Sequence, residues 1–165
     1  MALGGMVATL IRAAAVVILG SLLFHVTYTI QNGLLLAVVF LLSMIALYGL
    51  GMMTASAFLL FGREAWHIAN LAQEPVFLVS GFYFPLKFLP FWVSAAASII
   101  PLTLGLDAMR QLVFASGATL GFLDVRLETI VLAVLSVVFI LGAKLLLGYT
   151  ERLAIREGRI TENRR

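Results

Sequence analysis

Apolar residues run along this chain in long blocks separated by short polar punctuation. The first block extends from Ala13 to about Thr29. It is just long enough to cross a hydrocarbon core of about 30 Å, which takes roughly 20 helical residues. Gln31-Asn32-Gly33 follows as a tight-turn signal. The second block, Leu34 to Phe61, exceeds a bilayer's need, so its helix must tilt or protrude. Ser43, Ala46, Gly49, Gly51, Ala55 and Ser56 give it small side chains suited to close helix packing. Gly62-Arg63-Glu64 ends that block. A third helix is predicted from about Ala65 to Phe84, carrying His67, Asn70, Gln73 and Glu74. The last clear span runs from about Thr129 to Leu147, entered through Asp124-Val125-Arg126.

The stretch from Pro75 to Phe114 breaks this rhythm. It is almost wholly apolar, yet Pro85, Pro90 and Pro101 cut it. Proline removes a backbone donor and clashes with the preceding turn, which excludes one straight helix. The pieces between prolines are too short to span. Broken apolar backbone in a membrane must be buried in protein or face a watery cavity, so irregular and functional structure is expected here.

Composition settles the class. Of 165 residues, 62% are hydrophobic and 12% charged, against about 45–50% and about 25% in soluble domains. The chain reads as an all-α integral membrane protein treated as one domain over 1–165. A net charge of +3 could suggest nucleic acid. However, Arg152, Arg156, Arg159, Arg164 and Arg165 all follow Tyr149. A basic tail at 150–165 beside a span signals topology and contact with membrane lipid, not nucleic acid. No cysteine is present, which excludes disulfides and thiolate metal sites.

The positive-inside rule then fixes an expected topology. With four spans, Arg12, Arg63 and the tail arginines share one side, while Lys87, Arg110 and Arg126 share the other. A fifth span at Phe88–Leu106 would export the tail. Residues 86–116 are therefore expected to form a re-entrant hairpin at the extracellular face, bent at or near Pro101. Both termini are expected in the cytoplasm, and the first block is expected to stay uncleaved.

Candidate chemistry is sparse. No Gly-Lys-Ser or Gly-Lys-Thr occurs, so the chain carries no phosphate-cradling loop and is not expected to hydrolyse ATP or to be an enzyme. His25 and His67 are far apart and fit interfacial positions better than a metal site. Asp107 and Arg110 stand at i,i+3, on one face of a short helix. They are either a charge-neutralising pair or an outer gate. Glu74 is expected about 15 Å into the third helix, where a carboxylate must be paired, protonated or wet; it is either a hydrogen-bonded carboxyl at a helix interface or, with Asp107 and Arg110, a candidate pathway or gate group. Phe82, Tyr83, Phe84, Phe88, Phe91 and Trp92 suit a membrane interface.

Ser80-Gly81-Phe82-Tyr83-Phe84-Pro85-Leu86, then Leu89-Pro90 and Trp92, Ile100-Pro101-Leu102-Thr103, and Asp107-Ala108-Met109-Arg110 together resemble the signature of ABC-2 type transporter permeases. The resemblance covers about Gly49 to Arg110 and, more loosely, the stretch to Gly158; Ser80, Gly81, Pro85, Pro90 and Pro101 mark its hairpin signature. It implies the membrane subunit of an ATP-driven exporter, which dimerises with itself or another permease chain. Two ABC ATP-binding subunits would dock in the cytoplasm, with ATP and magnesium bound there and no cofactor on this chain. It also implies a contact with the ATPase near Gly62, Arg63 and Glu64. Glu74 has no counterpart in the family pattern. The family's first two spans and its interfacial helix are not readable here, so the four spans match its last four. Two other readings stay open: a degenerate permease acting as a membrane scaffold, and a proton-coupled carrier using Glu74.

Overall fold

The computed structural model describes residues 11–12, 15–16, 18–23, 28–30, 32–61, 63–114 and 117–156. Side chains at 57, 59–61, 63–66, 68, 117–118 and 154–156 are not described. Gly62, His25, Ser116 and the tail beyond Arg156 lie outside these residues.

The described residues are helical, with no strand beyond one isolated bridge between Tyr28 and Phe114. Helix α1 spans Gly33–Phe61 and α2 spans Arg63–Val79. A 3-10 turn at Leu86–Phe88 precedes α3, Phe91–Ala97, and α4, Pro101–Val113. A single turn, α5, covers Gly117–Leu120, and α6 runs Val125–Arg156. By length and composition, Gly33–Ser56 and Val125–Leu153 can each cross a membrane; α3 with α4 would be a third only if counted as one span bent by 108°.

Local sequence explains the boundaries. Asn32 is the N-cap of α1, its Oδ1 accepting from Leu35 N at 3.1 Å. The turn signal at 31–33 therefore starts a helix. The three prolines predicted to cut the apolar stretch each open a piece of it. Pro85 and Pro90 are the caps of the 3-10 turn and α3, and Pro101 is the first residue of α4. A helix start has no use for the missing N–H. Pro75 instead lies inside α2. The third helix ends at Val79, short of the expected Phe84, because Gly81 takes a φ of 77° that reverses the chain.

Helices α1 and α6 make the largest contact and run parallel. Asn32 and Leu35 lie with Leu123–Arg126, Gly49 with Phe139 and Ile140, and Met53 with Gly142, an offset of about 90 residues throughout. Both helices thus begin at one end of the bundle, here termed the leading end. Their core comprises Val39, Ala46 and Leu132, joined by Leu104, Ala108 and Leu112 of α4. The approach at Gly49 is backbone on backbone: a Cβ there would sit 2.9 Å from the Phe139 carbonyl carbon. Of the small residues in the second block, Gly49 makes this approach and Ser43, Ala46 and Ser56 are buried, while Gly51 and Ala55 are exposed.

Both ends of the segment from Leu86 to Val113 contact residues near the leading end. At its start, Lys87 Nζ donates to Thr119 O at 2.8 Å and Phe91 meets Phe122 with ring centroids 5.8 Å apart. At its finish, Thr29 N donates to Val113 O at 2.8 Å. In between, Gly105 packs on Ser43, so Pro101 lies about 20 Å below the leading end at 1.5 Å per residue. The 108° bend falls at 98–100, immediately before Pro101.

Candidate functional site

A polar cluster sits beneath the leading end, where α4 meets the start of α6. Asp107 and Gln111 lie one turn apart on α4 and face the core, because Leu104, Ala108 and Leu112 define the same buried face. Glu128 comes from the first turn of α6. All three are buried: Asp107 is 1% exposed, Gln111 4% and Glu128 0%. Gln111 Nε2 donates to Leu123 O at 2.9 Å and to Glu128 Oε2 at 3.1 Å. Asp107 Oδ2 accepts from Phe122 N at 2.8 Å, and Glu128 Oε1 from Leu123 N at 3.3 Å. Gln111 Nε2 also reaches Asp107 Oδ2 at 3.4 Å, so one amide joins the two carboxyl groups.

The cluster ties α4 to the chain that enters α6. Two carboxyls and an amide together hold the backbone of Phe122 and Leu123, which no helix satisfies. Gly121 lets Gln111 through, since a Cβ there would overlap the Gln111 amide. Above it opens a cleft of about 760 Å³, lined by Asn32, Leu35, Gln111, Phe122, Asp124 and Arg126 among others.

Arg110 points the other way along α4. Its Nη2 donates to Gly81 O at 2.7 Å, while its Nη1 stands 3.8 Å from Asp107 Oδ1. It therefore clamps the turn after α2 to the hairpin and faces Asp107 at the same time. Ser80 is fully buried and donates to Phe77 O at 3.3 Å. Ser94 Oγ donates to Leu86 O at 2.9 Å, tying α3 to the 3-10 turn. The Arg110–Gly81 and Ser94–Leu86 bonds thus brace the stretch between α2 and α3.

Glu74 stands apart from this cluster. It is exposed on α2 and accepts a hydrogen bond from Tyr83 OH at 3.3 Å. Its negative charge pushes the Tyr83 phenol up from the ordinary range. Sequence reasoning grouped Glu74 with Asp107 and Arg110; only the latter two come together. It passed over Gln111 and Glu128. Gln111 follows Asp107 at i,i+4, and Glu128 is a carboxylate at the mouth of an apolar helix, so both carried a readable signal. Arg63 and Glu64 open α2, but their side chains are not described, and Gly62 lies outside the described residues. No group of three or more metal-ligating side chains occurs among the described residues.

No match is found among curated proteins or among solved structures. The family model for ABC-2 type transporters matches residues 1–114. That range includes the signature from Ser80 to Arg110 and reaches upstream of Gly49, where the sequence alone reads only as apolar helix. On that match the chain belongs to the ABC-2 type transporter family.

Proposed function

We propose that this chain is the permease subunit of an ATP-driven exporter, with ATP hydrolysed on separate ABC subunits. The observation that carries the reading is the family match over residues 1–114. A dimer of such chains, or a pair with a second permease, would line the path. ATP-driven closure of the docked subunits would then switch it between inward- and outward-facing states, in a cell membrane.

The topology belongs to this reading. Parallel α1 and α6 need an odd number of crossings between them. One crossing by α2, with 86–116 re-entrant, meets that need; a crossing by both α2 and 86–116 does not. Seventeen residues carry α2 about 25 Å, from the far end of α1 to the level of Arg110. The leading end is then extracellular, with both termini cytoplasmic. Cysteine at Lys87 and at Arg126 is expected to react with impermeant maleimide from the same, outer face of sealed cells. Labelling of the two from opposite faces would reject the re-entrant arrangement.

Gly62-Arg63-Glu64 is the proposed coupling contact. It lies between two crossing helices, so a push there moves both. Glu64 in the first turn of α2 favours that helix's dipole, and Arg63 offers a cation to an acidic partner. Arg63→Glu with Glu64→Arg is expected to cut ATP turnover tenfold or more in the complex with the cognate ATPase while the permease remains folded. Unchanged assembly and turnover would remove the coupling role. ATP hydrolysis by the purified chain alone would overturn the function itself.

A further inference from the structure

The face of α6 turned away from α1 carries a feature the permease reading does not use. Leu141, Lys144, Leu145, Gly148, Tyr149 and Arg152 follow one another at helical spacing and line a shallow, mostly apolar groove of about 520 Å³. The opposite face is the packed one, with Gly142 against Met53 and Ala143 and Thr150 buried. Both cations and Tyr149 are exposed. A side chain at Gly148 would meet nothing within 4 Å, so the groove is open at its centre.

Depth gives the groove its meaning. Lys144 lies about 28 Å along α6 from Val125, close to the thickness of a hydrocarbon core. Its ammonium can snorkel to the polar boundary. Arg152 lies about 12 Å further, and both side chains are long enough to converge on a group between them. From Lys144 onward the chain carries Lys144 and five arginines against Glu151, Glu157 and Glu162. A second copy of the same face would set these cations against one another. An anionic amphiphile meets them with opposite charge and offers an apolar tail to Leu141 and Leu145.

We propose that this face holds an anionic phospholipid, its phosphate between Lys144 and Arg152 over Gly148 and one acyl chain along Leu145 and Leu141. The site needs only that α6 spans the membrane, and it does not depend on coupling to an ATPase.

The test uses the purified full chain in detergent, with phosphatidylglycerol or phosphatidylcholine of identical acyl chains added, read by native mass spectrometry. Phosphatidylglycerol should be retained one to one and preferentially. Lys144→Gln with Arg152→Gln should lower that preference about tenfold or more, since each cation near an anionic headgroup contributes. Gly148→Phe fills the groove with both cations intact and should lower retention comparably; Leu145→Gln removes an apolar wall and repeats the test should Gly148→Phe misfold. Circular dichroism checks the fold of each variant. Equal retention of both lipids overturns the proposal. So does undiminished preference in both groove variants, which would leave only diffuse charge attraction. Displacement by millimolar inorganic phosphate would assign the cations to a soluble anion. Disulfide dimers of Gly148→Cys formed at the expense of lipid would assign the face to a second copy.

Discussion

Gly49→Leu is expected to abolish the native pairing of α1 with α6, while Gly51→Leu leaves it intact. At position 49 a Cβ would lie 2.9 Å from the Phe139 carbonyl carbon and 3.0 Å from Ile140 N. Both are backbone atoms, which cannot rotate away as a side-chain end can. The helices must part, and with them go the contacts of Val39, Ala46 and Leu132 above the crossing. Overpacking of a filled core costs about 1–3 kcal/mol, and here the obstacle is main chain, so about 3 kcal/mol or more is expected. Nothing lies within 4 Å of a Cβ at Gly51, only two residues away. The two substitutions add the same side chain to the same helix, so propensity and hydrophobicity cancel between them. Thermal unfolding of the purified chain, followed by monodisperse elution, reads the difference. Equal loss in both variants would mean that the crossing does not decide stability.

How much of this was legible beforehand depends on whether a signal was local. The second block and α1 agree within one residue at the start, because apolar length and the Asn32 cap are properties of the stretch itself. The cuts at Pro85, Pro90 and Pro101 were readable for the same reason, since proline suits a helix start, although Pro75 is carried inside α2. The small residues announced a close crossing, but not that Gly49, unlike Gly51, would meet main chain. The parallel course of α1 and α6 was implied by the charge distribution over the loops, and the contacts between the helices express it independently. What sequence could not supply was the distribution of polar partners. Glu74 drew attention as a carboxylate in an apolar helix, yet the return of the chain at Gly81 brings Tyr83 back to it. Glu128 escaped notice because the expected span began at Thr129. Its partners, Asp107 and Gln111, lie 21 and 17 residues earlier, and only the fold of the hairpin brings them to it.

That dependence makes Glu128 the residue on which the docking of the hairpin can be tested. Glu128→Leu is close in volume but accepts nothing. It would leave Gln111 Nε2 one partner poorer and Leu123 N without its acceptor, in a buried to half-buried setting. Each unsatisfied buried group costs about 1–3 kcal/mol. The losses fall on one joint, between α4 and the chain entering α6, so they act together rather than as independent sites. Glu128→Gln keeps an acceptor oxygen for Leu123 N, and its amide can donate to Asp107, so it should retain most of the stability. The expected result is a wide gap: near-native thermal stability for Glu128→Gln and a loss of several degrees or more for Glu128→Leu. In the second variant, a cysteine placed at Gln111 should become reactive to maleimide, because the face of α4 that carries it would no longer be covered. A buried, unreactive Gln111→Cys in the Glu128→Leu background would show that apolar packing of Leu104, Ala108 and Leu112 alone holds the hairpin down. A loss in Glu128→Gln as large as in Glu128→Leu would instead show that the second carboxyl, and not the hydrogen bonds it makes, is what the joint requires.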